Sequence, residues 1–89
     1  MDFELILQAL GEQTRYKIFQ LLLDDEYCVG GLAKTLKISD SAVSQHVSIL
    51  KEANIVIGKK VGYYTHLTVN RDSLNEFLEW FAKRIIKED

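Results

Sequence analysis

The sequence predicts a mainly helical domain with one small β-hairpin, in the order helix, helix, helix, helix, hairpin, helix. Three observations indicate this class. Apolar residues recur at helical spacing through most of the chain, the spacing changes to about two over residues 55–69, and no proline interrupts the helices. Because 89 residues suffice for only one core, we expect residues 1–89 to form a single domain.

The first three predicted helices are short. Apolar residues at helical spacing predict a helix over Asp2–Leu10, which a glycine ends. A second helix, from about residue 13 to 23, has an apolar stripe broad enough to lie centrally in the core, and the acidic run 24–26 ends it. A third is expected around Gly31–Leu36, with an uncertain start because two glycines are poor helix formers.

The fourth helix separates apolar and polar side chains onto opposite faces. Ser39 is a suitable N-cap, and Asp40 favours the positive end of the helix dipole. The predicted buried face consists of Val43, Val47, Leu50 and Ala53. The opposite face carries small hydrogen-bonding side chains and a lysine, namely Ser41, Ser44, Gln45, Ser48 and Lys51. An ordinary solvated helix would more often carry Glu and Lys there, so this face is a candidate binding surface.

A hairpin and a last helix complete the chain. Residues 55–57 and 63–69 are β-branched and aromatic, and they flank a predicted turn near residues 60–62, which would place Lys59 and Lys60 at or near the tip. Tyr63 and Tyr64 alternate, so one of them is expected to pack inward. Asn70 is predicted to cap a final helix whose apolar stripe comprises Leu74, Phe77, Leu78, Phe81 and Ile85, with Trp80 outside that stripe.

The third and fourth helices have the spacing of a helix-turn-helix unit. Ala33 is followed by Lys37 at +4 and by Val43 and Val47 at +10 and +14. This spacing puts a small residue where the helices cross and β-branched residues in the angle between them, and the second helix of such a unit lies in the DNA major groove. The turn position usually requires positive φ and favours glycine, so Lys37 predicts local strain or a slightly different turn.

Charge is distributed unevenly along the chain. The net charge is −2, which at first disfavours nucleic acid, but residues 30–71 contain six basic and two acidic residues, a local net charge of +4. The two flanks together carry −6. Because exposed charges are screened beyond roughly 8–10 Å, an acidic protein can still present one positive face.

The stretch from about Leu10 to Val69 resembles the ArsR/SmtB family of winged-helix transcriptional repressors, through the segments LGEQTRYKIFQLLL, YCVGGLAKTLKISDSAVSQHVSILKEANIV and GKKVGYYTHLTV. The resemblance implies a recognition helix at about 40–53 in the major groove and a wing at about 55–69. It also implies that the terminal helices pair two chains into a homodimer, which would bind double-stranded DNA at an imperfect inverted repeat. Arg15 matches a recurrent arginine of the family, which either contacts phosphate or forms an intramolecular ion pair.

The chemistry of the side chains predicts their roles. Hydroxyl and amide groups that suit base edges belong to Ser41, Ser44, Gln45 and Ser48. Lysines expected to contact phosphates are Lys34, Lys37, Lys51, Lys59 and Lys60. His46 is expected to be packed or hydrogen-bonded rather than to touch a base. The candidate dimer seam, apolar beyond the needs of one small core, comprises Phe3, Leu7, Phe77, Trp80, Phe81 and Ile85.

Neither metal site of the family is complete in this sequence. Cys28 stands where a Cys-x-Cys pair would begin, but the second position is Gly30. The last helix has three carboxylates, Asp72, Glu76 and Glu79, but no histidine. We therefore expect no metal and no cofactor, and the sequence identifies no effector. Cys28 is interpreted as a small buried hydrophobe. The alternative is that Cys28, paired across the dimer, senses oxidants or binds a metal with outside ligands.

Other functions were weighed against DNA binding. Cys28 and the two histidines lack an orienting third group, so no enzyme is expected. A winged-helix module that binds protein rather than DNA is the main alternative, and a steep salt dependence on duplex DNA would distinguish the two. No apolar run is long enough to span a membrane, and the start lacks a signal-peptide pattern, so a cytoplasmic location is expected.

Overall fold

The computed structural model describes residues 2–86, and its element order is the predicted one. The helices are α1 (Phe3–Leu10), α2 (Gln13–Asp24), α3 (Val29–Leu36), α4 (Asp40–Glu52) and α5 (Arg71–Ile85). The strands β1 (Val56–Val61) and β2 (Tyr64–Val69) form a two-stranded antiparallel sheet between α4 and α5. In residues 2–86 no helix is long and apolar enough to cross a membrane.

The core forms where the first four helices meet the base of the hairpin. Its fully buried larger side chains come from six elements and one connection: Ile6, Ile18, Leu22, Leu32, Val43, Leu50, Ile55, Val56 and Leu67. Burying each such side chain stabilises the fold by about 1.5–3 kcal/mol, so this cluster fixes how α4 sits against α1, α2 and α3. Only the base of the hairpin belongs to the core.

Side-chain caps determine where the helices of the helix-turn-helix unit begin. The Oγ of Ser39 accepts a hydrogen bond from the backbone N–H of Ala42 at 3.0 Å, which confirms the predicted N-cap of α4. Helix α3 begins at Val29, two residues earlier than expected, because the Sγ of Cys28 accepts from the N–H of Gly31 at 3.4 Å. Asn70 caps α5 in the same way, as predicted.

The turn between α3 and α4 passes through the left-handed region. Lys37 has φ 58° and ψ 44°, a conformation that favours glycine, so the predicted local strain is confirmed. The backbone N–H of Ile38 donates to the carbonyl of Ala33 at 3.1 Å, which closes the end of α3. The packed angle between the two helices therefore imposes the conformation on a residue that does not favour it.

The hairpin turn lies at the end of the predicted range 60–62 and one residue beyond it. Val61 pairs with Tyr64, which leaves Gly62 and Tyr63 as a two-residue turn, and Gly62 has the positive φ (63°) that such turns require. Lys59 and Lys60 consequently lie in the outer half of β1, near the tip as expected but not in the turn itself. Two hydrogen bonds between Tyr27 and Leu67, of 3.3 and 2.7 Å, join the base of the hairpin to the segment before α3.

The expectation that one of the two tyrosines packs inward is wrong. Tyr63 is fully exposed and Tyr64 is 66% exposed. The physical reason is the length of the hairpin. In β1 only Val56 is buried, and in β2 burial begins at Leu67, so the outer half of the hairpin extends beyond the core and neither of its faces is covered.

Helix α5 contacts the rest of the chain through few side chains. Only Ser73 and Phe77 are buried on it. Trp80, predicted outside the apolar stripe, is half-buried and stacks on Phe3 with ring centroids 5.0 Å apart, whereas the stripe residue Leu78 is 59% exposed. The inner face of α5 is therefore rotated toward α1 relative to the prediction.

Candidate nucleic-acid interface

The outer face of α4 is polar and accessible. The four predicted base-contacting residues, which lie opposite the buried Val43, Val47 and Leu50, are all exposed: Ser41, Ser44, Gln45 and Ser48. Their backing is rigid, because the inner side chains of α4 are part of the core. The arrangement gives a convex row of hydroxyl and amide groups that can enter a groove and exchange hydrogen bonds with base edges.

The five lysines predicted to contact phosphates are all exposed, on α3, α4, the turn between them and β1. Lys34 is in the last turn of α3, Lys37 is in the turn, Lys51 is in the last turn of α4, and Lys59 and Lys60 are in β1. Within residues 2–86 none of them has a carboxylate oxygen within 4.0 Å. Lys59 and Lys60 are adjacent in a strand, so their side chains point to opposite faces of the hairpin and only one of them can share a surface with α4.

Lys51 also contacts the wing. A Cβ built on Gly58 would lie 3.3 Å from the Nζ of Lys51 and 2.9 Å from the Cγ2 of Thr65. The ammonium group therefore lies close to the backbone of β1 at position 58, where the absence of a Cβ leaves room for it. This contact ties the end of α4 to the hairpin, a role that the spacing of residues along the chain did not predict.

Arg15 joins three helices behind the polar face. Its Nε donates to the carbonyl of Ala9 at 2.7 Å, and its Nη1 lies 3.4 Å from the Nδ1 of His46 on α4. The same Nδ1 lies 3.7 Å from the Oε2 of Glu12. The predicted packed, hydrogen-bonded histidine is thus confirmed. Of the two alternatives for Arg15, the geometry favours the intramolecular one, although its partners are carbonyl oxygens and an imidazole.

Glu12 holds the beginning of α2 in this cluster. Its carboxylate accepts from the backbone N–H of Arg15 at 2.9 Å. Hydrogen bonds from the backbone of Arg15 and of Thr14 lower the pKa of Glu12, and attraction to His46 and Arg15 adds to the shift. The carboxylate is therefore ionised at neutral pH, and it stabilises the end of α2 that faces α4.

Four of the six predicted seam residues form an aromatic cluster between α1 and α5. Phe3, Phe77, Trp80 and Phe81 lie with neighbouring ring centroids 5.0–6.3 Å apart. Phe77 is buried within the cluster, whereas Leu7 and Ile85 are 44% and 64% exposed and stand apart from it. Leu78 and Ile86, which the seam prediction omitted, are also exposed on or next to α5.

The residues present do not assemble a metal site in the described part of the chain. Residues 2–86 contain no group of three or more His, Cys, Asp and Glu side chains able to hold an ion. Cys28 is half-buried, and its sulfur serves as the N-cap of α3. Its observed contact is therefore with backbone at the start of the helix-turn-helix unit.

The part of the chain that carries this geometry matches a known protein family. Residues 12–57, just over half of the chain, match the family described as bacterial regulatory protein, arsR family. The chain belongs to this family. The matched region runs from the start of α2 through the helix-turn-helix unit into β1, so it contains the polar face of α4. The resemblance stated from the sequence is confirmed.

Two relatives of the chain are named for opposite regulatory roles. The chain is 29% identical over 84 residues to the transcriptional repressor SdpR of Bacillus subtilis, covering 94% of this chain and 93% of SdpR. It is 31% identical over 74 residues to the transcriptional activator HlyU of Vibrio cholerae, covering 83% of this chain and 68% of HlyU. This chain is thus a DNA-binding transcriptional regulator and not an enzyme. Its relatives include both a repressor and an activator.

A solved structure shares the fold. The solution structure of the homodimeric winged helix-turn-helix domain of Mb0332 from Mycobacterium bovis superposes with a TM-score of 0.76, covering 96% of this chain and 81% of that one. The two are 21% identical, so this likeness concerns the fold alone. The predicted winged helix-turn-helix architecture is confirmed.

Proposed function

We propose that two copies of the protein bind double-stranded DNA together, with α4 of each copy in the major groove and each hairpin acting as a wing beside it. The observation that carries this proposal is the outer face of α4, where four exposed hydrogen-bonding side chains stand on a fully buried apolar back. A helix of this shape fits the major groove, which is about 12 Å wide. Acting on DNA, the protein would be located in the cytoplasm.

Sequence selectivity is assigned to the side chains of α4. Gln45 suits the N6 and N7 atoms of adenine through a bidentate pair, while Ser41, Ser44 and Ser48 accept or donate with less discrimination. The lysines supply attraction that does not depend on sequence. Each phosphate that a lysine neutralises lowers the logarithm of the binding constant by about 0.9 per tenfold increase in salt.

The wing contributes a residue that the sequence prediction did not assign to DNA. Tyr63 is fully exposed at the two-residue turn, at the end of a hairpin that extends away from the core. We assign it to the minor groove next to the major groove that α4 occupies, where an aromatic side chain can pack against sugars and bases. The glycine before it was the available signal, because a Gly-x pair between two β-branched runs indicates a two-residue hairpin turn.

Pairing of two copies is assigned to the seam of α1 and α5. The exposed apolar side chains Leu7, Phe81 and Ile85 need a cover, and the domain of Mb0332, described as homodimeric, has the same fold. A two-fold dimer would bind an imperfect inverted repeat whose half-sites lie about 34–36 Å apart, or a multiple of this distance. Repression is the proposed direction of regulation, supported by similarity to SdpR over nearly its whole length.

Selection of bound sequences from a random pool of duplex DNA tests the proposal. We expect an inverted repeat to emerge, with affinity that falls steeply as salt rises. The Gln45→Ala variant should lose about 1–3 kcal/mol of discrimination at one base pair per half-site. The control is Gln20→Ala, an exposed glutamine on α2 outside the proposed interface, which should bind as the unmodified protein does. Binding without sequence preference or salt dependence would favour the protein-binding alternative.

A further inference from the structure

A groove lies between α2 and α5, away from the polar face of α4. The proposed DNA-binding function does not use it. Its cavity volume is about 330 Å³, at the lower end of the range of about 300–1,000 Å³ that small-molecule sites occupy. The walls are apolar side chains at the end of α1, on α2 and on α5: Leu10, Phe19, Leu23, Leu74, Phe77 and Leu78. Such a groove favours a ligand with an apolar chain.

A guanidinium group stands at the rim of the groove. The Nη2 of Arg71 donates to the carbonyl oxygen of Leu23 at 3.0 Å, which holds the side chain across the start of α5 and the end of α2. Within residues 2–86 no carboxylate oxygen lies within 4.0 Å of Arg71. A guanidinium has five N–H donors, so four remain for a ligand once the bond to Leu23 is counted.

The start of α5 adds to the positive character of this rim. Arg71 is the first residue of a 15-residue helix, and the N-terminal end of a helix carries partial positive charge. The amide of Asn75 lines the groove one turn further along α5 and offers a donor next to the apolar wall. An anionic head group is therefore favoured at one end of an otherwise apolar groove.

We propose that this groove binds an amphipathic monocarboxylate with an unbranched apolar chain. Its carboxylate would pair with Arg71, and its chain would lie between α2 and α5. A groove of about 330 Å³ suits a chain of medium length. The proposal goes beyond DNA binding because it assigns an effector class to a site separate from the interface.

The position of the groove connects it to the proposed seam. Phe77 forms part of its wall, and the ring of Phe77 lies 5.6 Å from that of Phe81 and 6.1 Å from that of Trp80, between centroids. A chain seated against Phe77 therefore touches one member of the aromatic cluster. Ligand occupancy would thus favour one arrangement of α5 over another, to the extent that the ligand binds the two arrangements with different affinity.

Calorimetric titration of the full chain with hexanoate, octanoate and decanoate, below their micelle concentrations, tests the proposal. We expect one site per chain, with affinity that rises about fourfold for each added methylene group. Arg71→Gln removes the charge and keeps a polar side chain at the rim. It should weaken decanoate binding about ten- to hundredfold, while 1-decanol binds both proteins equally. Lys83→Gln, another exposed cation on α5, is the matched control and should change nothing.

A second variant keeps the test independent of Arg71. Leu78 is 59% exposed, so Leu78→Trp should fold normally, as circular dichroism would confirm, while its indole fills the groove and abolishes decanoate binding. The proposal is overturned if decanoate shows no saturable binding, or if Arg71→Gln binds it as tightly as the unmodified chain. The proposal is also overturned if decanoate binds only to monomers. That result would mean that a second copy of the chain occupies the groove in the dimer. DNA binding by Leu78→Trp, measured in parallel, separates failure of this site from failure of the interface.

Discussion

Helices α4 and α5 are similar in length, yet the core holds them to very different degrees. The 13 residues of α4 include three buried apolar side chains, Val43, Val47 and Leu50. The 15 residues of α5 include one buried apolar side chain, Phe77, and one buried serine, Ser73. The chain itself thus completes the packing of α4, whereas the apolar excess of α5 faces outward.

This difference matches the two tasks proposed for the helices. A helix that reads base edges must hold its side chains in a fixed geometry, and burial of one whole face provides that. A helix that pairs with a second copy must expose an apolar face in the isolated chain. This exposure lowers the solubility and the stability of the isolated chain. The contrast between α4 and α5 is therefore testable by variants that affect one helix and spare the other.

The largest effect is expected from truncating the buried face of α4. Leu50→Ala removes a fully buried side chain, so the free energy of unfolding should fall by about 2–5 kcal/mol. Leu78→Ala on α5 removes a side chain of the same size that is 59% exposed, and it should cost less than about 1 kcal/mol. Urea denaturation of both variants at one protein concentration measures the difference. Equal losses would show that the two helices are anchored alike.

A charge in the seam should separate the two copies and leave each one folded. Ile85→Glu places a carboxylate on a side chain that is 64% exposed, so the single chain tolerates it, while a dimer would have to bury it. We expect the dimer dissociation constant to rise at least about thirtyfold, corresponding to about 2 kcal/mol. Sedimentation analysis measures this. Lys83→Glu, exposed on the same helix, should leave the constant nearly unchanged, and a similar shift in both variants would place the seam elsewhere.

The contact between α4 and the wing predicts a smaller effect. Gly58→Ala forces a Cβ to within 2.9 Å of Thr65 and 3.3 Å of the Lys51 ammonium, so the wing and the lysine must shift. We expect DNA affinity to fall about tenfold, or about 1.4 kcal/mol, in an anisotropy titration. Gly30→Ala is the control, since its Cβ would meet nothing within 4 Å and alanine favours the helix. Unchanged affinity in Gly58→Ala would mean that the contact has no role in binding.

The same contrast explains which parts of the molecule the sequence predicts. The inner and outer faces of α4 are separated cleanly at helical spacing, so its burial, its Ser39 cap and its exposed polar row were predictable. Along the hairpin, alternation predicts which residues share a face but not where the core ends, so the exposure of Tyr63 was missed. Trp80 was misplaced because the sequence of a helix does not show which other element covers its apolar face. Phe3, 77 residues away, covers it.

The smallest effect concerns the strained turn before α4. Lys37→Gly relieves a left-handed conformation that costs a non-glycine residue about 1–3 kcal/mol, and the added flexibility of the unfolded chain offsets part of the gain. We expect the free energy of unfolding to rise by about 0.5–1 kcal/mol. The same change removes a proposed phosphate contact. The slope of the logarithm of the DNA-binding constant against the logarithm of the salt concentration should therefore become shallower by about 0.9 per subunit.

Lys37→Ala separates the two consequences, because it removes the charge and keeps the strain. It should lower the salt dependence as much as Lys37→Gly does, without the gain in stability. If Lys37→Gly stabilises the fold and leaves the salt dependence intact, the lysine does not contact phosphate. If Lys37→Gly instead stabilises the fold and weakens DNA binding, the lysine is retained for its charge next to α4, although it strains the turn.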